Sequence, residues 1–268
     1  QLADIDEANY ALSGLSNVKD VKEKMRCVGV LANLMGNQRT RRLLASYGVP
    51  IKIVKAVQDV ATAPHVPNTL KFGAAALLYL AASDLRAPAT DAMRSVKSAN
   101  TIRALLRQAS SSDDALYLKT ANTVRSALKT LKFLPSEAKD APTLALLVAH
   151  QTLKSEQDAV LASGSGPGAS DVEKSFRTVL AHQGAVLATC ELVAQATSTL
   201  SKFGGACFVA STSASMTDDV DDESTIEEYE QSAARVIARL FRASRVLECA
   251  SFESPASCAV ISTAALGG

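Results

Sequence analysis

The 268-residue sequence contains no tryptophan, and aromatic residues make up only 4% of it. Sheet cores are enriched in aromatic and β-branched residues, so this scarcity argues against an aromatic-rich β fold. Apolar residues still reach 47% of the chain, and most of them are Ala, Leu and Val. The core is therefore expected to form between closely packed helices, which favours an all-α fold.

The sequence also lacks paired cysteines and long apolar runs. Its cysteines form no CxxC motif and mostly have apolar neighbours, which predicts buried thiols in a reducing compartment; they are Cys27, Cys190, Cys207, Cys249 and Cys258. No stretch of about 18 residues is apolar and free of charge, so neither a membrane-spanning segment nor a membrane partner is expected. The chain starts without a basic segment followed by an apolar run, and we expect an excised domain without a signal peptide.

Motifs for catalysis, nucleotide binding and metal binding are missing as well. There is no GxSxG elbow and no local Cys–His pair. The glycines at 164, 166 and 168 follow a helical segment and precede no Gly-Lys-Ser/Thr, which indicates a connector rather than a phosphate loop. Three widely separated histidines have no Cys or His at ligand spacing: His65, His150 and His182. We therefore predict no catalytic residues, no metal ligands and no cofactor, and expect the protein not to be an enzyme.

What the sequence does contain is a pattern that occurs twice between Met25 and Ala109. The first copy reads MRCVGVLANLM, NQRTRRLLASYG and PIKIVKAVQDV, and the second reads LKFGAAALLYLA and, after a longer connector, NTIRALLRQA. Leu31 corresponds to Leu77 at an offset of 46 residues. A repeat of this length with helical spacing is typical of armadillo and HEAT arrays. We predict an all-α fold, an irregular HEAT/armadillo-like helical-repeat solenoid.

Local signals place the first helices of this array. Apolar residues recur at helical spacing up to Met35, and Gly36 is suited to end that helix. Asn37 can cap a short helix. Gly48 is suited to end that helix, and Pro50 is suited to the first turn of the next one. The segment from 69 to 80 has almost no polar side, so it predicts a helix buried all round. Further helices are expected over residues 87–98, from a cap at residue 100, over 112–131, after residue 142, over 171–200 and over 226–248.

The repeat pattern fades beyond Pro135, and composition divides the rest of the chain. We predict N-terminal helical repeats over residues 1–160, a flexible Gly/Ser loop over 161–170, and a C-terminal helical region over 171–268 packed on the same solenoid. The acidic run from Asp218 to Glu223 is interpreted as a solvated loop. Residues 252–268 receive no assignment.

Charge is distributed unevenly along the chain. Residues 1–134 hold 19 Lys/Arg against 10 Asp/Glu, and residues 135–268 hold 9 against 17, so the two parts carry +9 and −8. Eight cations fall within one presumed three-helix repeat and could form a basic ridge that binds a partner; they are Lys19, Lys22, Arg26, Arg39, Arg41, Arg42, Lys52 and Lys55. The alternative interpretation is a set of solvated helix faces whose Arg stems cover apolar neighbours.

Three segments carry a family resemblance. They read NVKDVKEKMRCVGVLANLM, NQRTRRLLASYGVPIKIVKAV and LKFGAAALLYLAASD. In this order they resemble the start of the C-terminal domain of the Wapl (wings apart-like) family of cohesin release factors, in its smaller fungal form. The similarity covers about 100 of the 268 residues, and part of its pattern is shared by any armadillo array. The segment Phe203-Gly204-Gly205 does not match the family's Phe-Gly-Phe motif.

The resemblance implies an elongated HEAT-like domain that acts without catalysis on chromatin in the nucleus. It implies binding to cohesin subunits, namely the Smc3 ATPase head, Scc3 and the kleisin, and to the regulator Pds5, with release of cohesin as the outcome. No individual contact residue carries over from the family. An unrelated armadillo-type adaptor and a DNA-binding helical module stay open as alternatives, and direct DNA binding would show itself by a steep salt dependence.

Overall fold

The computed structural model describes residues 2–63, 66–83, 93–107, 134–135, 140–163, 175–213 and 222–266. It describes only the backbone of residues 163, 202–213 and 222–232. Eleven helices and no strand occur in the described ranges, which confirms the prediction of an all-α fold. The helices are α1 (Leu2–Asn17), α2 (Val21–Gly36), α3 (Gln38–Ser46), α4 (Val49–Thr62), α5 (Asn68–Ala82), α6 (Val96–Leu106), α7 (Ala141–Ser163), α8 (Phe176–His182), α9 (Ala185–Ser213), α10 (Asp222–Ser251) and α11 (Pro255–Leu266).

Contacts between the helices define two layers. The first layer runs α1, α4, α6, α9 and the second runs α2, α5, α7, α10, and each helix packs on its neighbours within its layer. Across the layers α1 pairs with α2, α4 with α5, α6 with α7 and α9 with α10. The short helix α3 packs on α2 and α4, while α8 and α11 pack around the α9–α10 end. Such stepwise pairing is the arrangement of a helical-repeat solenoid.

The local signals explain most helix ends in the first repeat. Asn37 caps α3, because its Oδ1 accepts the N–H of Arg39 at 2.9 Å. Gly48 adopts a φ of +70°, which ends α3, and Pro50 lies in the first turn of α4. The helix α5 is buried on nearly all sides, as its sequence predicts. A single hydrophobic cluster extends from α1 to α10 through these helices.

Several predicted boundaries are wrong. The helix α6 spans Val96–Leu106 and has Ser95 as its N-cap, because the Ser95 hydroxyl accepts the N–H of Ser98; the predicted cap Asn100 lies inside it, and the predicted helix over 87–98 is interrupted by a turn at residues 94–95. The predicted loop over 161–170 starts too early, since α7 continues to Ser163. The unassigned C-terminal segment contains α11. The predicted helix over 112–131 and residues 164–170 and 218–221 of the two predicted loops lie outside the described residues, whereas residues 222–223 of the acidic run already belong to α10.

The predicted helix over 171–200 is also wrong, because it breaks at Gly184. This glycine has a φ of +73°, and its N–H donates to the carbonyl of Ala181 at 3.0 Å. The break separates the short α8 from the long α9, as Gly48 separates α3 from α4. The segment RRLLASYG ending at Gly48 aligns with RTVLAHQG ending at Gly184. The α3–α4 and α8–α9 turns are therefore two copies of the same helix–turn–helix motif, in which Arg41 corresponds to Arg177.

Gly73 lies where α5 packs closely against α2 in the second layer. A Cβ added to Gly73 would lie 2.8 Å from Val28 Cγ1, and Val is stiff about χ1. Overpacking of this kind costs about 1–3 kcal/mol, and the better helix propensity of Ala returns about 1 kcal/mol. We expect Gly73→Ala to lower the free energy of unfolding by about 1–2 kcal/mol, measured by urea denaturation.

Val28→Ala provides the partner variant for this test. It removes the methyl group that an added Cβ would meet. The loss in free energy of unfolding in the double variant Gly73→Ala/Val28→Ala is therefore expected to be smaller than the sum of the two single losses. Strict additivity of the three free energies would show that α2 and α5 relax apart rather than collide at this crossing.

Candidate functional site

The eight predicted partner-binding cations lie on four adjoining segments. Lys19 is in the α1–α2 turn, Lys22 and Arg26 are on α2, three arginines are on α3, and two lysines are on α4. Seven of the eight are exposed, and Arg41 alone among them is half-buried. The first repeat therefore presents a basic surface, here called the α2–α4 basic surface and defined by the seven exposed cations Lys19, Lys22, Arg26, Arg39, Arg42, Lys52 and Lys55.

Arg41 differs from the others because the fold already uses it. Its Nη1 donates to the carbonyl oxygen of Met35 at 3.0 Å, near the C-terminal end of α2. The last carbonyls of a helix lack intrahelical partners, and a cation there also complements the helix dipole. Its Nε is buried without a hydrogen bond. Arg41 thus holds α3 against α2.

Three of the exposed cations on α2 and α3, namely Lys22, Arg26 and Arg39, are held loosely. Arg26 forms an ion pair with Glu23 at 3.8 Å, but the two side chains are 77% and 41% exposed, so this pair contributes little to stability. Lys22 and Arg39 lie in the first turns of α2 and α3 and point charge into solvent. These side chains are accessible to an anionic partner.

Lys52 and Lys55 share a groove between α1 and α4 of about 410 Å³. The structure brings these two predicted residues together, and none of the cations on α2 and α3 lines the same groove. The Nζ of Lys52 donates to Asn9 Oδ1 at 2.8 Å, which ties α4 to α1 at one end of the groove. Asp59 adds a carboxylate to the α4 wall.

The α1 wall of this groove was not predicted from the sequence. It consists of uncharged polar side chains at helical spacing: Asn9, Ser13, Ser16 and Asn17. Alternating with them, Ala8, Leu12 and Leu15 are buried against α2 and α4. The signal was present, because polar residues at positions i, i+4, i+7 and i+8 define one face of a helix.

Two buried ion pairs lie in the second half of the chain. Arg177 on α8 has its Nε 3.5 Å from Glu156 Oε2, with side chains 3% and 11% exposed. Arg239 on α10 places Nη2 2.9 Å from Asp140 Oδ2 at the start of α7, with side chains 12% and 5% exposed. The Arg239–Asp140 pair connects helices that are distant in the sequence, and the Arg177–Glu156 pair connects two successive helices of the described ranges. Both pairs hold elements together, and none of the four side chains lines the groove between α1 and α4.

His150 has an environment unsuited to metal binding. Burial lowers its pKa first, and the positive charges of Arg245, Arg242 and Lys154 lower it further. Cations at these positions would also repel a metal ion. Across the described ranges no group of three or more His, Cys, Asp or Glu side chains is placed to hold a metal. His182 is exposed on α8, and His65 lies outside the described residues.

The cysteines offer no activated nucleophile in the part of the chain that is described. Burial raises the pKa of the Cys27, Cys190 and Cys249 thiols, which keeps them protonated at neutral pH. Cys27 and Cys249 are buried as predicted, whereas Cys258 is exposed, because α11 covers the end of the array with only one side. The side chain of Cys207 lies outside the described residues.

Comparison of the chain with protein-family models, with curated proteins and with solved structures gives no match. A search of the described helices finds none long and apolar enough to cross a lipid bilayer. The candidate site therefore rests on its own geometry, namely the α2–α4 basic surface and the groove that adjoins it.

Proposed function

We propose that this chain is a non-enzymatic protein-binding array whose first repeat carries the main contact surface. The observation that carries the proposal is the exposure of seven cations on one unit of adjoining helices, α2 to α4 and the turn before them. A fixed set of like charges steers an oppositely charged partner and selects its orientation. The +9 balance of residues 1–134 extends this field along the first part of the array.

For the identity of the partner we propose cohesin. The supporting observation is the resemblance of residues 17–84 to the Wapl family, whose segments fall in order on α2, α3, α4 and α5. The partners would be the Smc3 ATPase head, Scc3 and the kleisin, together with Pds5, on chromatin in the nucleus. Binding two of them along one layered array would favour the conformation of the ring in which an interface is open, and so promote cohesin release.

Charge reversal at two first-turn positions tests this proposal. Lys22→Glu with Arg39→Glu places acidic residues in the first turns of α2 and α3, where they suit the helix dipole, so folding is preserved. We expect the double variant to bind the purified Smc3 ATPase head about tenfold or more weakly than the wild-type chain, with the loss mainly in the association rate. Surface plasmon resonance at two salt concentrations measures both quantities.

The matched control is Lys97→Glu with Lys154→Glu. Both lysines are exposed on α6 and α7, outside the α2–α4 basic surface, and the change in net charge is the same. The control is expected to bind like the wild-type chain. Equal losses of affinity in both variants would show that the effect comes from net charge alone. If the wild-type chain bound neither a cohesin subunit nor Pds5, the cohesin assignment would be refuted.

Duplex DNA is the competing partner for the same charges. A DNA-binding module would bind a 30-base-pair duplex with an affinity that falls steeply as salt rises, because phosphate contacts release counterions. If the double reversal removes DNA binding while the Smc3 head still binds, the basic surface serves DNA and the protein–protein proposal is wrong for that surface.

A further inference from the structure

The groove between α1 and α4 contains two cations of the α2–α4 basic surface, Lys52 and Lys55, and differs from the rest of that surface in its lining. Its floor is apolar, since Leu12 and Ala56 are only 6% and 4% exposed. Its walls are polar on both sides, with hydroxyl and amide groups on α1 and charged groups on α4. An apolar floor with a few polar groups on the walls is the common form of a ligand site.

The dimensions of the groove fit a short peptide. The α1 wall from Asn9 to Asn17 is about 12 Å long at about 1.5 Å of rise per residue. An extended chain covers about 3.3 Å per residue, so about four residues match this length.

The polar groups match a peptide backbone. Side-chain amides and hydroxyls both donate and accept hydrogen bonds, as the N–H and C=O groups of a backbone do. Asn17 is exposed and its amide donates to Ser13 Oγ at 3.2 Å, which leaves its carbonyl oxygen and its second N–H for other partners. These two side chains can therefore bind main-chain groups whatever the side chains of the ligand are.

Lys55 selects the charge of the ligand. Lys52 already donates to Asn9, whereas Lys55 makes no hydrogen bond or ion pair with any described residue. A partner carboxylate would give Lys55 a charge-assisted hydrogen bond. Asp59, one turn further along α4, opposes a second negative charge and suits a backbone N–H instead.

We propose that the α1–α4 groove binds an extended peptide segment of about four residues that carries one carboxylate side chain, paired with Lys55. This inference rests on the proposed function as a protein-binding array and names the kind of segment that its partner presents. A nucleic acid strand fits less well, because the Asp59 carboxylate repels phosphates and no aromatic side chain lines the groove for base stacking.

A peptide titration followed by NMR tests the groove without any cohesin component. The probes are acetyl-Gly-Ser-Glu-Ser-Gly-amide and the same peptide with Gln in place of Glu. We expect backbone amide shifts concentrated on α1 and α4, and binding of the Gln peptide about three- to tenfold weaker than that of the Glu peptide. In Lys55→Gln both peptides are expected to bind with equal affinity, and Lys55→Arg should restore the difference.

Lys97→Gln is the control, since it removes an exposed cation from α6. It is expected to keep the preference for the Glu peptide. Three results would each overturn the groove proposal: amide shifts outside α1 and α4, a preference for Glu that persists in Lys55→Gln, or shifts of the same amides by a 12-base-pair DNA duplex alone. If cohesin binding depends on Lys22 and Arg39 but neither peptide shifts the amides of α1 and α4, this inference is refuted and the proposed function stands. If the peptides bind in the groove but no cohesin subunit binds, only the identity of the partner is refuted.

Discussion

Replacing Arg177 by Met is expected to lower the free energy of unfolding by about 3–5 kcal/mol, because it leaves the Glu156 carboxylate buried without its counter-charge. The guanidinium lies where four segments meet. Its Nη1 donates to the carbonyl oxygen of Phe252 at 3.2 Å, and its central carbon lies 5.1 Å from the centre of the Phe252 ring. The backbone carbonyl of Arg177 accepts the Ser257 hydroxyl at 3.3 Å. Met has a similar length and removes only the charge and the donors.

Glu156→Gln separates charge from hydrogen bonding at the same place. Glu156 Oε1 accepts the N–H of Phe176 at 2.7 Å, and the amide oxygen of Gln can keep that bond. The double variant Arg177→Met/Glu156→Gln is therefore expected to lose less stability than the sum of the single losses.

Arg107→Met is the exposed control for this cycle. Its ion pair with Glu191 has side chains that are 56% and 53% exposed, so a change within about 0.5 kcal/mol is expected. Urea denaturation measures all four variants. A loss at Arg177 no larger than the loss at Arg107 would contradict the role of the buried pair.

The second large effect is expected at Asp140, which performs two tasks with its two oxygens. Oδ1 accepts the N–H of Thr143 at 2.8 Å and so caps α7, while Oδ2 accepts Nε and Nη2 of Arg239 at 3.1 and 2.9 Å. Asp140→Ala removes the cap, worth about 1 kcal/mol, and breaks the buried ion pair with Arg239. We expect a loss of about 3–5 kcal/mol in the free energy of unfolding.

Asp140→Asn distinguishes the two tasks. Asn is an equally good cap, so this variant loses the charge of the pair and keeps the start of α7. Its loss is expected to lie between zero and that of Asp140→Ala, and Arg239→Met should add little to Asp140→Ala because the ion pair is already broken in that variant. If Asp140→Asn and Asp140→Ala were equally unstable, the cap would contribute nothing at this helix.

The sequence predicted the first repeat well because its helix ends are set by neighbours in the chain. Asn37, Gly48 and Pro50 act within a few residues of where they stand, and the helix class follows from periodicity alone. The break at Gly184 has the same local chemistry as that at Gly48. The repeat pattern did not predict it, because that pattern has an offset of 46 residues, whereas these two turns lie 136 residues apart.

The buried pairs and the groove could not be predicted in the same way. Asp140 and Arg239 are 99 residues apart, and nothing near either residue identifies its partner. The groove depends on how α1 packs against α4, so its α1 wall has no meaning until the tertiary structure is known. The cations of the first repeat were identified correctly as exposed, with Arg41 the exception, because exposure follows from helix periodicity whereas the Met35 contact does not.

The packing of α1 has a consequence for exchange of its amide hydrogens. Stability in a linear array comes from neighbours, and α1 packs mainly on α2 and α4, whereas α8 packs on five helices. Elements with few packing partners open locally with the smallest free energies, so α1 amides should lose protection before those of α7 to α10. Since α1 forms one wall of the groove, a ligand bound there would stabilise the folded α1 and slow the exchange of its amides. Ligand binding and the folding of α1 are therefore thermodynamically coupled.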